Sequence, residues 1–127
     1  MNVLIIHAHP EPQSFTASMQ RTAVEELSRA GHSVEVSDLY AMGWNPVATA
    51  DDFGSRKSPD YLVYALEQRQ AWEAGTLAPD IVAEVKKLQK ADLVLFNFPM
   101  YWFSVPAMLK GWIDRVLISG VCYGGRR

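Results

Sequence analysis

Leu93 to Phe98 is a short, largely apolar run that ends abruptly in Pro99-Met100-Tyr101-Trp102-Phe103-Ser104-Val105-Pro106. Such a run reads as a buried parallel strand, and Pro106 is well placed to start a helix. Three adjacent large side chains, two with polar tips, therefore sit where a strand hands over to a helix. In open α/β sheets ligands bind there, in the crevice beyond the carboxyl ends of the strands. Three consecutive loop side chains cannot all face one core, so at least one faces the crevice or a partner. Packing in a core or a dimer interface is the ordinary use of such aromatics. The functional use is a shelf for a flat ligand.

The rest of the chain fits the same architecture. Asn2 to Ala8 reads as a second buried strand, rich in β-branched residues. The loop His9-Pro10-Glu11-Pro12-Gln13-Ser14 follows, and Ser14 or Thr16 can cap the next helix. That helix carries Met19, Ala23, Leu27 and Ala30 at helical spacing and stops at Gly31. Ser33 to Ser37 alternates and reads as a strand leading to Asp38-Leu39-Tyr40. Residues 41–78 form a long excursion with Trp44-Asn45-Pro46 and a predicted helix from about Asp60 to Glu73, before Gly75. Pro79-Asp80 opens an amphipathic helix with Ile81, Val85 and Leu88 in its stripe and Lys86, Lys87 and Lys90 late, as the helix dipole favours. The last helix, Pro106 to about Leu117, turns Leu109, Ile113 and Val116 inward.

This alternation implies a parallel sheet with helices on both faces. In a doubly wound sheet of order 2-1-3-4-5 the first and third strands are neighbours, and the loops His9 to Ser14 and Pro99 to Pro106 open into one crevice. Only three of the five expected strands are present in the sequence. The third is left without its outer neighbour, and a buried-type strand at an edge must be covered. The expectation is either the N-terminal half of a larger protein or completion of the sheet by a partner chain.

Composition narrows the class. A length of 127 residues allows a single domain with a real core. Hydrophobic content of 49% and charged content of 20% suit a globular protein. A net charge of −2 gives no electrostatic reason to expect nucleic acid or an anionic membrane, and Arg126 with Arg127 is too short for a basic tail. Cys122 is the only cysteine, so no intrachain disulfide forms, and a buried or semi-buried thiol is expected. The first apolar run, Val3 to Ile6, is too short for a secretory signal, and no segment reaches membrane-spanning length. The expected location is cytoplasmic, without direct membrane insertion.

The N-terminus of the first helix offers unpaired amides and a dipole suited to phosphate. Ser14 and Thr16 add hydroxyls, and His9 can donate to a phosphate oxygen. An ordinary capped helix is the plainer alternative. Neither Gly-x-Gly-x-x-Gly nor Gly-x-x-x-x-Gly-Lys occurs, so dinucleotide-fingerprint and P-loop readings are unsupported. His7 and His9 share one side of an extended segment, yet no carboxylate or cysteine at zinc-like spacing joins them. No metal is expected, His7 is read as a satisfied core or edge histidine, and no residue is assigned as catalytic.

Several stretches together resemble the NAD(P)H:quinone oxidoreductases of the DT-diaphorase type, which are flavodoxin-like flavoenzymes. These are Ala8-His9-Pro10-Glu11 with Ser14-Phe15, Ser37 to Met42, Asn45-Pro46, and Pro79 to Glu84. The most specific are Phe98 to Ala107 and Leu109-Lys110-Gly111-Trp112. The resemblance implies a flavodoxin-like doubly wound parallel sheet of which residues 1–127, a single domain incomplete at its C-terminal side, supply the first three strands. It implies FAD as cofactor, with FMN the alternative, and NAD(P)H as co-substrate. His9, Phe15 and Thr16 would hold the pyrophosphate region, and Met100, Tyr101, Trp102 and Phe103 the isoalloxazine ring. Trp102 and Phe103 would also line the nicotinamide and quinone site, and Tyr123 would cover the substrate, often from the second subunit of a homodimer. The implied reaction is ping-pong: hydride passes from NAD(P)H to the flavin and then to a quinone. Tyr101 stands where mammalian members have glutamine, Gly125 and Val63 replace an aromatic and a flavin-contacting glutamine, and the family's Thr-Thr-Gly-Gly loop lies beyond residue 127. Similar relatives serve as ancillary subunits of potassium-efflux systems, and a flavin-free interaction module is a further alternative.

Overall fold

The computed structural model describes residues 1–125, and Arg126 and Arg127 lie outside the described residues. Three parallel strands form one sheet in the order β2-β1-β3: β1 (Asn2–His7), β2 (Ser33–Asp38) and β3 (Leu93–Asn97). In register, His7 stands between Asp38 and Asn97. Four α-helices accompany them: α1 (Phe15–Arg29), α2 (Tyr64–Ala74), α3 (Pro79–Lys90) and α4 (Ala107–Val116). Leu4, Ile6 and Ala8 enter the main core with Ile81 and Val85 of α3 and Leu109, Trp112 and Val116 of α4. The opposite face of the sheet is covered by α1.

The two faces are unequally sealed. Every residue of β1 from Val3 to His7 is buried, as its apolar run demands. Of the α1 residues only Ala17 is fully buried, and Met19 from its expected apolar stripe is half exposed. β3 corrects the expectation of a wholly buried strand, because Leu93 and Phe96 remain 38% and 43% exposed. The cause is position. As the outer strand, β3 has a neighbour on one side only, and Phe96 rests edge-on against Trp112 with its other side open.

The excursion differs from the sequence expectation in two places. A 3-10 turn, Ala50–Asp52, was not anticipated; Thr49 caps it by accepting the Asp51 amide. The helix predicted from about Asp60 begins only at Tyr64. Ahead of it, the Lys57 and Ser58 amides each donate to the Glu67 carboxylate at 2.9 Å, which holds the incoming chain across α2 rather than in line with it.

One guanidinium ties these parts together. Arg115 of α4, 2% exposed, donates to Asp52 Oδ1 at 2.8 Å, to Asp80 Oδ2 at 2.8 Å and to the Asn45 carbonyl at 2.9 Å. Its guanidinium carbon lies 4.8 Å from the Trp44 ring centroid. Tyr64 donates to the second oxygen of Asp52. Next to this junction α4 meets the excursion backbone to backbone, since a Cβ on Gly111 would lie 2.1 Å from the Pro46 carbonyl oxygen. Only glycine permits that approach. Gly111→Ala should therefore cost about 3 kcal/mol or more, as overpacking against backbone does. Thermal unfolding should show a fall in Tm of roughly 10 °C or more; an unchanged Tm would contradict the close contact.

Burial works to raise the Asp52 carboxyl, but the hydrogen bonds from Arg115 and Tyr64, with the Arg115 charge, outweigh it and hold Asp52 below the usual carboxylate range. A folded pKa lowered in this way stabilises the fold above the ordinary value of about 4 and loses that contribution as pH falls below it. Urea unfolding should accordingly show wild-type stability declining below about pH 4. Asp52→Asn, weaker at neutral pH because Arg115 loses a counter-charge, should decline less over the same window. Parallel curves for the two proteins would contradict the assignment.

Candidate functional site

The site starts at the carboxyl ends of two adjacent strands. Beyond the last paired residues, the Ala8 amide donates to the Asn97 carbonyl at 3.0 Å, so the loops after β1 and β3 leave the sheet side by side. This is the convergence the alternation of elements predicted.

In the first loop, the Glu11 amide donates to Nδ1 of His9 at 2.9 Å. An accepting Nδ1 puts the proton of the neutral ring on Nε2, which leaves an N–H donor on the side away from the loop. Ser14, rather than Thr16, is the N-cap of α1 and accepts the Ala17 amide at 3.0 Å. Among the described residues, the Phe15 and Thr16 amides donate to no backbone carbonyl. Thr16 is half-buried, and Phe15 projects outward at 80% exposure.

Asn97, unremarked in the sequence, locks this arrangement. Its side-chain amide donates to His7 Nδ1 and to the Thr16 carbonyl, both at 2.9 Å, and so joins β1, β3 and the first turn of α1. A lone amide inside the apolar run Leu93 to Phe98, paired in register with a histidine, was the available signal. His7 is buried and satisfied at this nitrogen, as expected, and burial lowers its pKa despite the opposing charge of Asp38.

The second loop has the more unusual backbone. Tyr101 and Ser104 exchange two hydrogen bonds, at 2.9 and 3.0 Å. Between them Trp102 and Phe103 have φ of 48° and 61°. These are the marks of a type I′ turn, which normally selects Asn-Gly. A residue with a side chain in the left-handed region costs about 1–2 kcal/mol, and here two bulky aromatics occupy it in succession. Their side chains return nothing to the core, at 93% and 91% exposure. The Tyr101 amide is spent within the turn, so it is not available to a ring edge. The Trp102 and Phe103 amides donate to no backbone carbonyl among the described residues. Met100 and Tyr101 extend the exposed ledge.

Tyr123 follows α4 and shares no hydrogen bond or bridge with the ledge among the described residues. It lies in a turn beyond α4 that Arg69 of α2 fastens by donating to the Gly124 carbonyl at 3.2 Å, and α4, about 15 Å long, separates that turn from the ledge along the chain. Cys122 in the same turn is exposed, contrary to the buried or semi-buried thiol expected, because the turn folds over the surface rather than into the core. Among the described residues no group of His, Cys, Asp or Glu side chains could hold a metal ion, and no helix is long and apolar enough to cross a membrane.

The donors suit a definite kind of ligand. Free helix-terminal amides, a hydroxyl and an N–H on His9 match an anionic group, while two exposed rings and two free amides match the face and acceptor edge of a flat heterocycle.

Comparison with known proteins shows the family to which the fold belongs. The profile of the flavodoxin-like fold family matches residues 1–127. The chain belongs to the flavodoxin-like fold family. Within it, the chain is 53% identical over 122 residues to the ribosyldihydronicotinamide dehydrogenase [quinone] of Pongo abelii, covering 95% of this chain and 53% of that relative. It is 50% identical to NAD(P)H dehydrogenase [quinone] 1 of Rattus norvegicus, over 94% of this chain and 44% of the relative. The chain thus spans about half the length of the curated relatives it matches. A solved structure from Klebsiella pneumoniae, described as a candidate quinone reductase, superposes with a TM-score of 0.88 at 50% identity, over 92% of this chain and 45% of that one. General stress protein 14 of Treponema denticola, solved with FMN, superposes at a TM-score of 0.58 and 27% identity, over 98% of this chain and 53% of that one.

The turn gives this flavodoxin-like chain a stability signature. Phe103→Gly removes an exposed ring and relieves a left-handed side chain. It should stabilise the fold by roughly 0.5–1 kcal/mol in urea unfolding, the relief of strain being partly offset by the greater freedom of unfolded glycine. A net loss of stability would show that the Phe103 ring packs.

Proposed function

We propose that this chain forms the flavin-holding part of an NAD(P)H:quinone oxidoreductase, and the observation that carries the reading is the left-handed Trp102–Phe103 turn. A strained turn that spends backbone energy to expose two rings and two amides is explained by a ligand, not by packing. The relatives named as quinone dehydrogenases support the reaction class, and the FMN complex of a more distant relative supports a flavin.

In this reading the Trp102 and Phe103 amides donate to the acceptor edge of the flavin ring, with Met100 and Tyr101 beside it. His9 Nε2–H and the Phe15 and Thr16 amides hold the phosphate groups of FAD; FMN would use the same donors. Bound flavin supplies a two-electron hydride carrier between NAD(P)H and a quinone. The protein's own part is to bind, orient and shield, and no side chain of the site is assigned a proton. Trp102 and Phe103 also line the face where nicotinamide and quinone bind in turn. Tyr123 covers that face in a homodimer, reaching over from the partner subunit. Residues 1–127 act as one domain whose sheet continues beyond the exposed edge of β3, in a cytoplasmic protein.

Reconstitution tests the proposal. The purified chain, titrated with FAD and separately with FMN, should acquire flavin absorbance that survives gel filtration. Trp102→Ala should weaken flavin retention or quinone turnover by about tenfold, the loss of one base-type stacking contact. A colourless protein that neither flavin reconstitutes would refute the reading. So would a folded Trp102→Ala variant with wild-type retention and turnover.

A further inference from the structure

A second cleft, of about 340 Å³, lies between α1 and the carboxyl ends of β1 and β2. His7, His9, Arg21, Asp38 and Tyr40 line it, together with Pro10 and Pro12, so it borders the flavin phosphate donors at His9. The flavin reading assigns none of its work to His7, Arg21, Asp38 or Tyr40.

The polar atoms facing this cleft are unspent. His7 is 3% exposed, and its Nδ1 edge is turned to Asn97 on β3. The opposite edge therefore faces β2 and the cleft, and with Nδ1 accepting, Nε2 carries the proton. Among the described residues no group accepts that proton, and Nε2 is not among the sealed, unpartnered atoms, so it reaches the open space. Asp38, beside His7 in register, uses Oδ1 to accept the Ala41 amide and leaves Oδ2 free. Arg21 spends one nitrogen on the Pro12 carbonyl, at 2.9 Å, which leaves its other N–H groups without a partner among the described residues.

A buried donor next to a free carboxylate oxygen asks for a group that accepts from one and donates to the other. A hydroxyl does both. In dinucleotide-binding α/β folds a carboxylate near the second strand takes a ribose hydroxyl; the glycine fingerprint of those folds is absent here, and only the carboxylate-to-hydroxyl chemistry carries over. The guanidinium a little farther out suits a phosphate. Tyr40, Pro10 and Pro12 give an apolar wall where a base can lie.

We infer that this cleft is a second ligand site, separate from the Trp102–Phe103 ledge and adjoining the flavin phosphate donors at His9, that binds a ribose phosphate group with its hydroxyls on His7 and Asp38 and its phosphate on Arg21. The group comes either as a free sugar phosphate or as part of a nucleotide.

The test follows the histidine ring resonances of the FAD-saturated protein during titration with ribose phosphate, AMP and the deoxy analogue of AMP. The His7 ring signals should shift saturably, and the deoxy analogue should bind less well. Asp38→Asn, which keeps an oxygen to accept the Ala41 amide, and Arg21→Gln should each weaken binding at least about tenfold, as loss of a charge-assisted contact does, while flavin retention is unchanged. Tighter binding of AMP than of ribose phosphate identifies the nucleotide as the source, and equal binding identifies the free sugar phosphate. Absence of a saturable His7 shift at millimolar ligand would overturn the inference. Wild-type affinity in both folded variants would do the same. In the flavin-free protein, displacement of ribose phosphate by FAD would show that the cleft belongs to the flavin and overturn it as well. Failure of flavin to bind at all would refute the functional reading above without touching this one, because the titration can be repeated on the flavin-free chain.

Discussion

A single buried guanidinium holds the helical face of this sheet in place. Arg115 gathers Asp52 from the 3-10 turn, Asp80 from the start of α3 and the Asn45 carbonyl from the excursion, under the Trp44 ring. Arg115 and Asp52 are both buried, and removing either costs about 3–5 kcal/mol because the other charge is left uncompensated, whereas Asp80 joins them from the surface. The cluster therefore makes three separate segments cooperative. It also fixes α4, and α4 begins immediately after the aromatic loop.

That anchoring explains how the loop holds its conformation. Two successive aromatics in the left-handed region are disfavoured locally, and their exposed rings offer no compensation. β3 fixes the entry to the turn, through the ladder to β1 and the Asn97 side chain. The exit is fixed by α4, wedged at Gly111 against Pro46 and held by Arg115. Strain is stored between two rigid supports, which is where binding sites keep it. The functional proposal rests on this division between a stable frame and a strained, exposed turn.

Much of the frame could be read from the chain. Apolar runs mark β1 and β3, Pro79 marks α3, and the alternation of elements is enough to place the two loops in one crevice. Charge chemistry could not be read in the same way. Asp52, Asp80 and Arg115 lie 28 or more positions apart in pairs such as Asp52–Asp80 and look like ordinary surface charges until the fold brings them together. Asn97 was hidden inside a run whose apolar neighbours dominated its reading. The Trp102–Phe103 turn was hidden for the opposite reason: turn preferences point to Asn-Gly, and nothing in Trp-Phe announces a left-handed backbone. The exposure of β3 depended on which neighbours the strand has, a property of the sheet rather than of its own residues.

The quinone-reductase reading joins a fold that is shown with a ligand that is proposed, and the join lies at two backbone amides. Nitrogen-edited NMR of the protein titrated with FAD reports on them directly. The Trp102 and Phe103 amide resonances should shift saturably with FAD, among the largest changes in the spectrum. FAD binding that leaves both resonances unmoved would contradict the reading.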